Sequence, residues 1–344
     1  MSPEEANSLA QGVLAGERLA LARALTQVEN DTPAGRLILS ETFPHTGRAH
    51  RIGVTGSPGT GKSSLVNLLA RHFRQPPAGQ APRRVAVVAV DPSSPFTGGA
   101  ILGDRIRMRD LTGDPGVFIR SMATRGSLGG LASATAGVVQ LFDAAGFDVV
   151  LIETVGAGQA EVDIARLAHT TLVVEAPGLG DDIQAIKAGI LEIADVLVIN
   201  KADHPGVDGT ERALRSMLEM AHPVRHEMHH HGQIETLHAY AAAPDPNAPL
   251  WIPPVLRTIA TEGMGMPELM AAIARHKDYL QQSGDWQRRE RFRLQAELDT
   301  LLQEALVARW RETVSAGVYQ QAVDDLLRRK VSPHQAVSQL IGPA

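Results

Sequence analysis

Short apolar runs rich in valine, isoleucine and leucine stand at 51–55, 84–90, 147–152, Thr170–Glu175, Val196–Ile199 and 255–260. Runs this short and this β-branched read as strands buried on both faces. Between them lie longer stretches in which apolar residues recur every three or four positions, the helical period. Strands alternating with helices predict an α/β fold with a doubly wound, mostly parallel sheet.

The ends of the chain differ from this middle. Ser2-Pro3-Glu4-Glu5 has the form of a capping box with proline at the first helical position, and Leu9, Val13, Leu19, Leu21, Ala22 and Leu25 follow at helical spacing. Two or three N-terminal helices are predicted before the core. Residues 221–254 turn rich in His, Pro, Ala and Asp and read as a surface insertion. From Pro267 onward the pattern is helical, with Leu294, Leu298, Leu301, Leu302, Leu306 and Trp310 forming an apolar stripe, and breaks at Gly317 and Ser332-Pro333. The predicted division is an N-terminal helical segment at 1–45, a nucleotide domain at 46–284 and a C-terminal helical arm at 285–344 suited to homodimerisation.

Composition narrows the function. At 344 residues the chain exceeds the usual limit of about 250 to 300 for one core. A formal charge of -5 argues against long-range attraction to nucleic acid or an anionic membrane. With no cysteine, disulfides, zinc thiolates and thiol nucleophiles are excluded, which fits a cytoplasmic protein. The N-terminus lacks the basic-then-apolar order of a signal peptide, and the longest apolar run, 85–90, is far below the roughly 20 residues that span a bilayer.

Gly56-Ser57-Pro58-Gly59-Thr60-Gly61-Lys62-Ser63 follows the first strand and, with Ser64, opens an apolar helix. The glycines let successive N–H groups turn toward phosphate oxygens, Lys62 adds positive charge, and Ser63 can place its hydroxyl on magnesium. Asn200-Lys201-Ala202-Asp203 follows a later strand. The Asp203 carboxylate can accept from the N1–H and exocyclic amine of guanine, donors that adenine lacks, so GTP is selected. Ile259, Ala260 and Thr261 stand where backbone N–H groups would meet the base.

Acidic residues stand at the ends of other strands, Asp91 ending the second and Glu153 the third, and Asp104 follows in a glycine-flanked loop. Asp91, Asp104 and Glu153 are placed to complete a magnesium shell or position water, although any one of them would serve equally as a helix or turn cap. Glu153-Thr154-Val155-Gly156 has the outline of a D-x-x-G switch, with glutamate in place of aspartate and Gly156 able to offer its N–H to the γ-phosphate. Lys62, Asp104 and Glu153 are the candidate catalytic groups, and the general base lies open between the last two.

The segments D-P-S-S-P-F-T-G-G-A-I-L-G-D-R-I-R-M at 91–108, T-R-G-S-L-G-G at 124–130, E-T-V-G-A-G-Q-A-E at 153–161 and N-K-A-D closely resemble the MeaB/MMAA (ArgK-type) G-protein chaperones of adenosylcobalamin-dependent acyl-CoA mutases. That resemblance implies a homodimeric, magnesium-dependent P-loop GTPase that binds such a mutase, gates loading of adenosylcobalamin and assists removal of damaged cofactor, without necessarily binding cobalamin itself. It places Asp91, Asp104 and Glu153 in the magnesium and water-positioning cluster. It also assigns Asp181, Gln184 and Lys187 to a third switch that couples nucleotide to partner; without it, these residues read as helix caps and a solvated charge. One departure is Ile259, where the family tends to carry a serine-containing loop.

Other signals are discounted. His226-Glu227-Met228-His229-His230 matches H-E-x-x-H, but Pro223 and Gly232 leave little room for the helix a zinc site needs. The basic run Arg288, Arg289, Arg291 and Arg293, balanced by Glu290 and Glu297, reads as a solvated helical face. A metallochaperone-type GTPase and, further off, a small-molecule kinase are the alternative functions.

Overall fold

The computed structural model describes residues 1–77, 79–92, 109–111, 113–124, 130–154, 160–178, 192–221 and 250–342, with the backbone alone at 91–92, 109, 123–124, 130–133, 160–163 and 220–221. Seven strands form one sheet: β1 (His50–Thr55), β2 (Val85–Pro92), β3 (Val117–Thr124), β4 (Val149–Thr154), β5 (Thr170–Glu175), β6 (Val196–Ile199) and β7 (Val255–Arg257). Their order is β3-β2-β4-β1-β5-β6-β7, and every described pairing is parallel. The α/β, doubly wound architecture read from the sequence is therefore the architecture present.

The register explains the unbroken apolar runs. β1, β4, β5 and β6 are buried along their whole lengths, and successive side chains enter opposite layers. Ala86, Val88 and Val90 of β2 join one core, whereas Val85 and Val87 join the other. The first core is roofed by α1 (Pro3–Leu14), α2 (Arg18–Glu29), α3 (Pro33–Thr42) and α5 (Gly130–Ala144); the second by α4 (Lys62–Arg74) and α8 (Met266–Ser283). α6 (Ala160–Leu167) and α7 (Val207–Ala221) complete the described layers. Three helices precede β1, and the capping box at Ser2 and Glu5 is present.

β3 is the strand that the pattern did not yield. It is an edge strand, and Arg120 and Ser121 interrupt its apolar run. Arg120 leaves the sheet to meet Glu29 of α2, with Nε donating to the carboxylate at 3.0 Å, and Arg18 of α2 donates to the Val117 carbonyl at 2.8 Å. Tertiary partners on one face decided its conformation.

Contacts divide the chain into two units, Met1–Arg293 and Leu294–Ala344, and the boundary falls within the long helix α9 (Asp285–Thr313). Within the second unit, α10 (Ala316–Leu327) and α11 (Pro333–Ile341) follow. Ser332 and Gln335 form a second capping box, and Trp310 Nε1 donates to the Leu340 carbonyl at 3.0 Å. Leu298, Leu302 and Leu306 stay exposed. Among the described residues no helix is long and apolar enough to cross a membrane.

Candidate functional site

The chain fans out from β1 in both directions, toward β4-β2-β3 on one side and β5-β6-β7 on the other. Ligands of such sheets sit outside the carboxyl ends of the strands at this reversal, and the glycine-rich loop 56–61 lies there. Gly56 has φ 134°, and a Cβ on it would stand 2.0 Å from the Val174 carbonyl of β5. Gly61 has φ 92°, and a Cβ there would meet Asn200 Nδ2 at 2.4 Å. Only glycine adopts that backbone at that packing distance.

Gly61 is also the N-cap of α4, so the positive end of the helix faces the loop. Lys62, at the first helical position, is buried, and its ammonium donates to the carbonyls of Gly56 and Ser57 at 2.8 and 2.9 Å. Ser63 Oγ donates to Glu153 Oε1 at 2.5 Å, both side chains being buried. The helix after β1 and the end of β4 thus bring together two of the oxygen-bearing side chains that the sequence offers for magnesium. Thr60 is buried, Ser57 and Gly61 are half-buried, and Pro58, Gly59 and Ser64 are exposed.

The guanine motif stands two strands away. Asn200 Nδ2 donates to the Thr60 carbonyl at 2.8 Å, while Oδ1 accepts from Ala260 N–H at 3.0 Å and from Thr258 Oγ1 at 3.2 Å. One buried amide therefore ties the phosphate loop, β6 and the loop after β7. Lys201 adopts a left-handed φ of 55°, and Ala202 N–H donates to the Thr258 carbonyl at 3.1 Å. This turn leaves the Asp203 carboxylate half exposed, 3.9 Å from His204 Nε2. Ile259 is buried and pairs with Met264, and Ala260 and Thr261 face outward to increasing degrees. Thr258 was overlooked in the sequence; a hydroxyl directly after the strand, opposite the N-K-A-D asparagine, was the available signal.

Asp91 is described by its backbone, the penultimate position of β2, two places beyond Ala89, the register partner of Glu153. Asp104, Gly156, Asp181, Gln184, Lys187 and the histidines at 226–231 lie outside the described residues. The run at 288–293 departs from its expected solvated face. Arg289 and Arg293 are largely buried, and Arg289 forms a two-pronged pair with Asp195 at 2.8 and 2.9 Å. Charge balance along a helix does not reveal which arginine finds an acid from another element.

Residues 21–315 match the family model described as methylmalonyl Co-A mutase-associated GTPase MeaB. A putative GTPase of Pyrococcus abyssi is 41% identical over 326 residues, 95% of this chain and 93% of its own. The methylmalonic aciduria type A homolog, mitochondrial, of Caenorhabditis elegans is 32% identical over 295 residues, 82% of this chain and 68% of its own. A crystal structure of a LAO/AO transport system kinase superposes with a TM-score of 0.68 at 28% identity, covering 99% of this chain and 97% of that one.

Proposed function

The chain belongs to the MeaB family and is a GTPase, and from that premise we propose that it serves an adenosylcobalamin-dependent acyl-CoA mutase in the cytoplasm. GTP binding and hydrolysis gate loading of the cofactor and protect or reactivate the mutase; the cobalamin is handled through the partner. The observation that carries this reading is the match of residues 21–315 to a mutase-associated GTPase.

The site geometry supports a division of labour. Lys62 exchanges its two loop carbonyls for β- and γ-phosphate oxygens, and the N–H groups of loop 56–61 and the first turn of α4 take up charge on the transferring phosphoryl group. Ser63 and Glu153, oxygen ligands held 2.5 Å apart, fit a hard cation, with Asp91 and Asp104 completing the set. Magnesium, when bound there, offsets the phosphate charge. Asp104 or Glu153 orients the attacking water, and Gly156 offers an N–H to the γ-phosphate. Asp203 accepts from guanine, Lys201 lies along the base, and Ile259, Ala260 and Thr261 contribute backbone to its rim. Asp181, Gln184 and Lys187 carry the nucleotide state to the partner.

Self-association assigns a role to the second unit. Leu298, Leu302 and Leu306 are 64%, 53% and 58% exposed, an apolar row suited to a second copy of the same helix. The test of the whole reading is recovery of the protein's partners from its host, followed by a GTPase assay with each. Recovery of an acyl-CoA mutase subunit that accelerates turnover supports it; turnover indifferent to every captured mutase removes its support. Transfer of labelled γ-phosphate to a protein or amino acid would instead favour the kinase alternative.

A further inference from the structure

A second charged cluster occupies the other end of the sheet, where the strands begin, and hydrolysis makes no use of it. Asp195, just before β6, accepts from Thr171 N–H at 2.8 Å and from both terminal nitrogens of Arg289, and lies 3.2 Å from His276 Nε2. Arg289 also donates to the His169 carbonyl at 2.9 Å. Arg51 of β1 donates through Nε to the Leu167 carbonyl at 2.8 Å and pairs with Glu290, which lies 2.8 Å from His169 Nε2. Trp286 stacks on the His169 ring, with centroids 3.7 Å apart.

Trp286, Arg289 and Glu290 all belong to the first two turns of α9. One helix end therefore grips the leading ends of β1, β5 and β6. The trailing ends of the same strands make the nucleotide site. β1 runs into Gly56, β5 supplies the Val174 carbonyl against which Gly56 is packed, and β6 runs into Asn200, which holds Thr60 and Ala260. β1 spans six residues, about 20 Å at roughly 3.3 Å per residue. A tilt of β5 or β6 at the base is thus carried to the site through paired backbone, not through a loop. Folding economy gives a poor account of the cluster, because apolar packing of equal volume generally stabilises as well as buried ion pairs do. What the bidentate arginine supplies is a fixed geometry.

We propose that Arg289 and Glu290 are positioning residues for guanine-nucleotide binding: by fixing the leading ends of β1, β5 and β6 they set the distance between the phosphate loop and the guanine motif. This rests on the nucleotide site proposed above. Without the clamp the two halves of that site are less well preorganised, so affinity falls while the chemistry, confined to the phosphate end, is preserved.

The test uses the full chain and three variants, Arg289→Met, Arg289→Lys and, as a control of comparable chemistry, Arg120→Met, which removes a part-buried ion pair on edge strand β3. KM for GTP, kcat and the dissociation rate of a fluorescent GDP analogue are measured well below each melting temperature. Arg289→Met is expected to raise KM and GDP dissociation roughly 3- to 30-fold with kcat within about twofold, Arg289→Lys to give an intermediate shift, and Arg120→Met to leave all three within about twofold. If Arg289→Met fails to fold, Glu290→Gln is read the same way, with a smaller rise in the same two quantities expected. The proposal is overturned if the folded clamp variant melts lower yet keeps KM and GDP dissociation, if kcat falls in their place, or if Arg120→Met moves them equally. Failure of the underlying site shows separately, as unchanged guanine preference in Asp203→Asn.

Discussion

Asn200 Nδ2 donates to the carbonyl of Thr60 across 2.8 Å, so the residue that ends β6 holds the loop that follows β1. Its Oδ1 holds the backbone of Ala260 as well. Asn200→Ala takes this partner from the buried Thr60 carbonyl and from the part-buried Ala260 N–H, a loss of about 2–3 kcal/mol. GDP affinity measured by calorimetry is expected to fall roughly 30- to 150-fold. Affinity within about threefold of wild type would show that the tie does not preorganise the site.

The phosphate loop separates two glycines that look alike in sequence. Gly56 combines φ 134° with a Cβ position 2.0 Å from the Val174 carbonyl, whereas Gly59 has φ 81° and nothing within 4 Å. Gly56→Ala is expected to cost about 3–5 kcal/mol in urea unfolding, and Gly59→Ala about 1 kcal/mol of backbone strain only. Equal costs would mean that packing against β5 does not restrict the loop.

Asp203 tests base selection. Asp203→Asn replaces an acceptor pair with a mixed donor and acceptor, and GTP affinity is expected to drop about 100-fold or more while ATP affinity changes little. The check is competition of each nucleotide against a fluorescent GDP analogue.

Acid should loosen the base of the sheet. Burial, reinforced by the positive charges of Lys277 and Arg51 at His50 and of Arg51 and Arg289 at His169, holds both imidazoles well below the ordinary histidine range. Burial would raise the Asp195 carboxyl, but Arg289 and His276 prevail and hold it well below the usual carboxylate range. The folded histidines resist protons that the unfolded chain accepts near pH 6.5. Their contribution is therefore complete above that pH and is lost as pH falls below it, at about 1.4 kcal/mol per pH unit for each group. The Asp195 contribution is lost in the same direction, below about pH 4. Urea midpoints between pH 7.5 and 5 are expected to fall, with a shallower slope in His50→Gln.

The phosphate loop, the guanine motif and the α/β alternation were legible because each is local: a glycine spacing, a four-residue turn, a buried run. β3 was not, because its partners are α2 and β2, and Arg120 and Ser121 break its own apolar run. The clamp was hidden for a related reason. Arg289 and Glu290 look solvated along their own helix, and their partners, Asp195, His169 and Arg51, come from the leading ends of strands far away in sequence. Thr258 fell between the two cases, its hydroxyl adjoining a motif but outside it.

The most direct test of the mutase-linked role is the steady-state rate of GTP hydrolysis by the full chain as an adenosylcobalamin-dependent acyl-CoA mutase from the same organism is titrated in. Slow turnover that rises saturably with mutase, and no longer rises in Lys62→Ala, is the expected result. A rate that stays flat across the titration, with no mutase retained on the immobilised protein in the presence of either GDP or a non-hydrolysable GTP analogue, would contradict it.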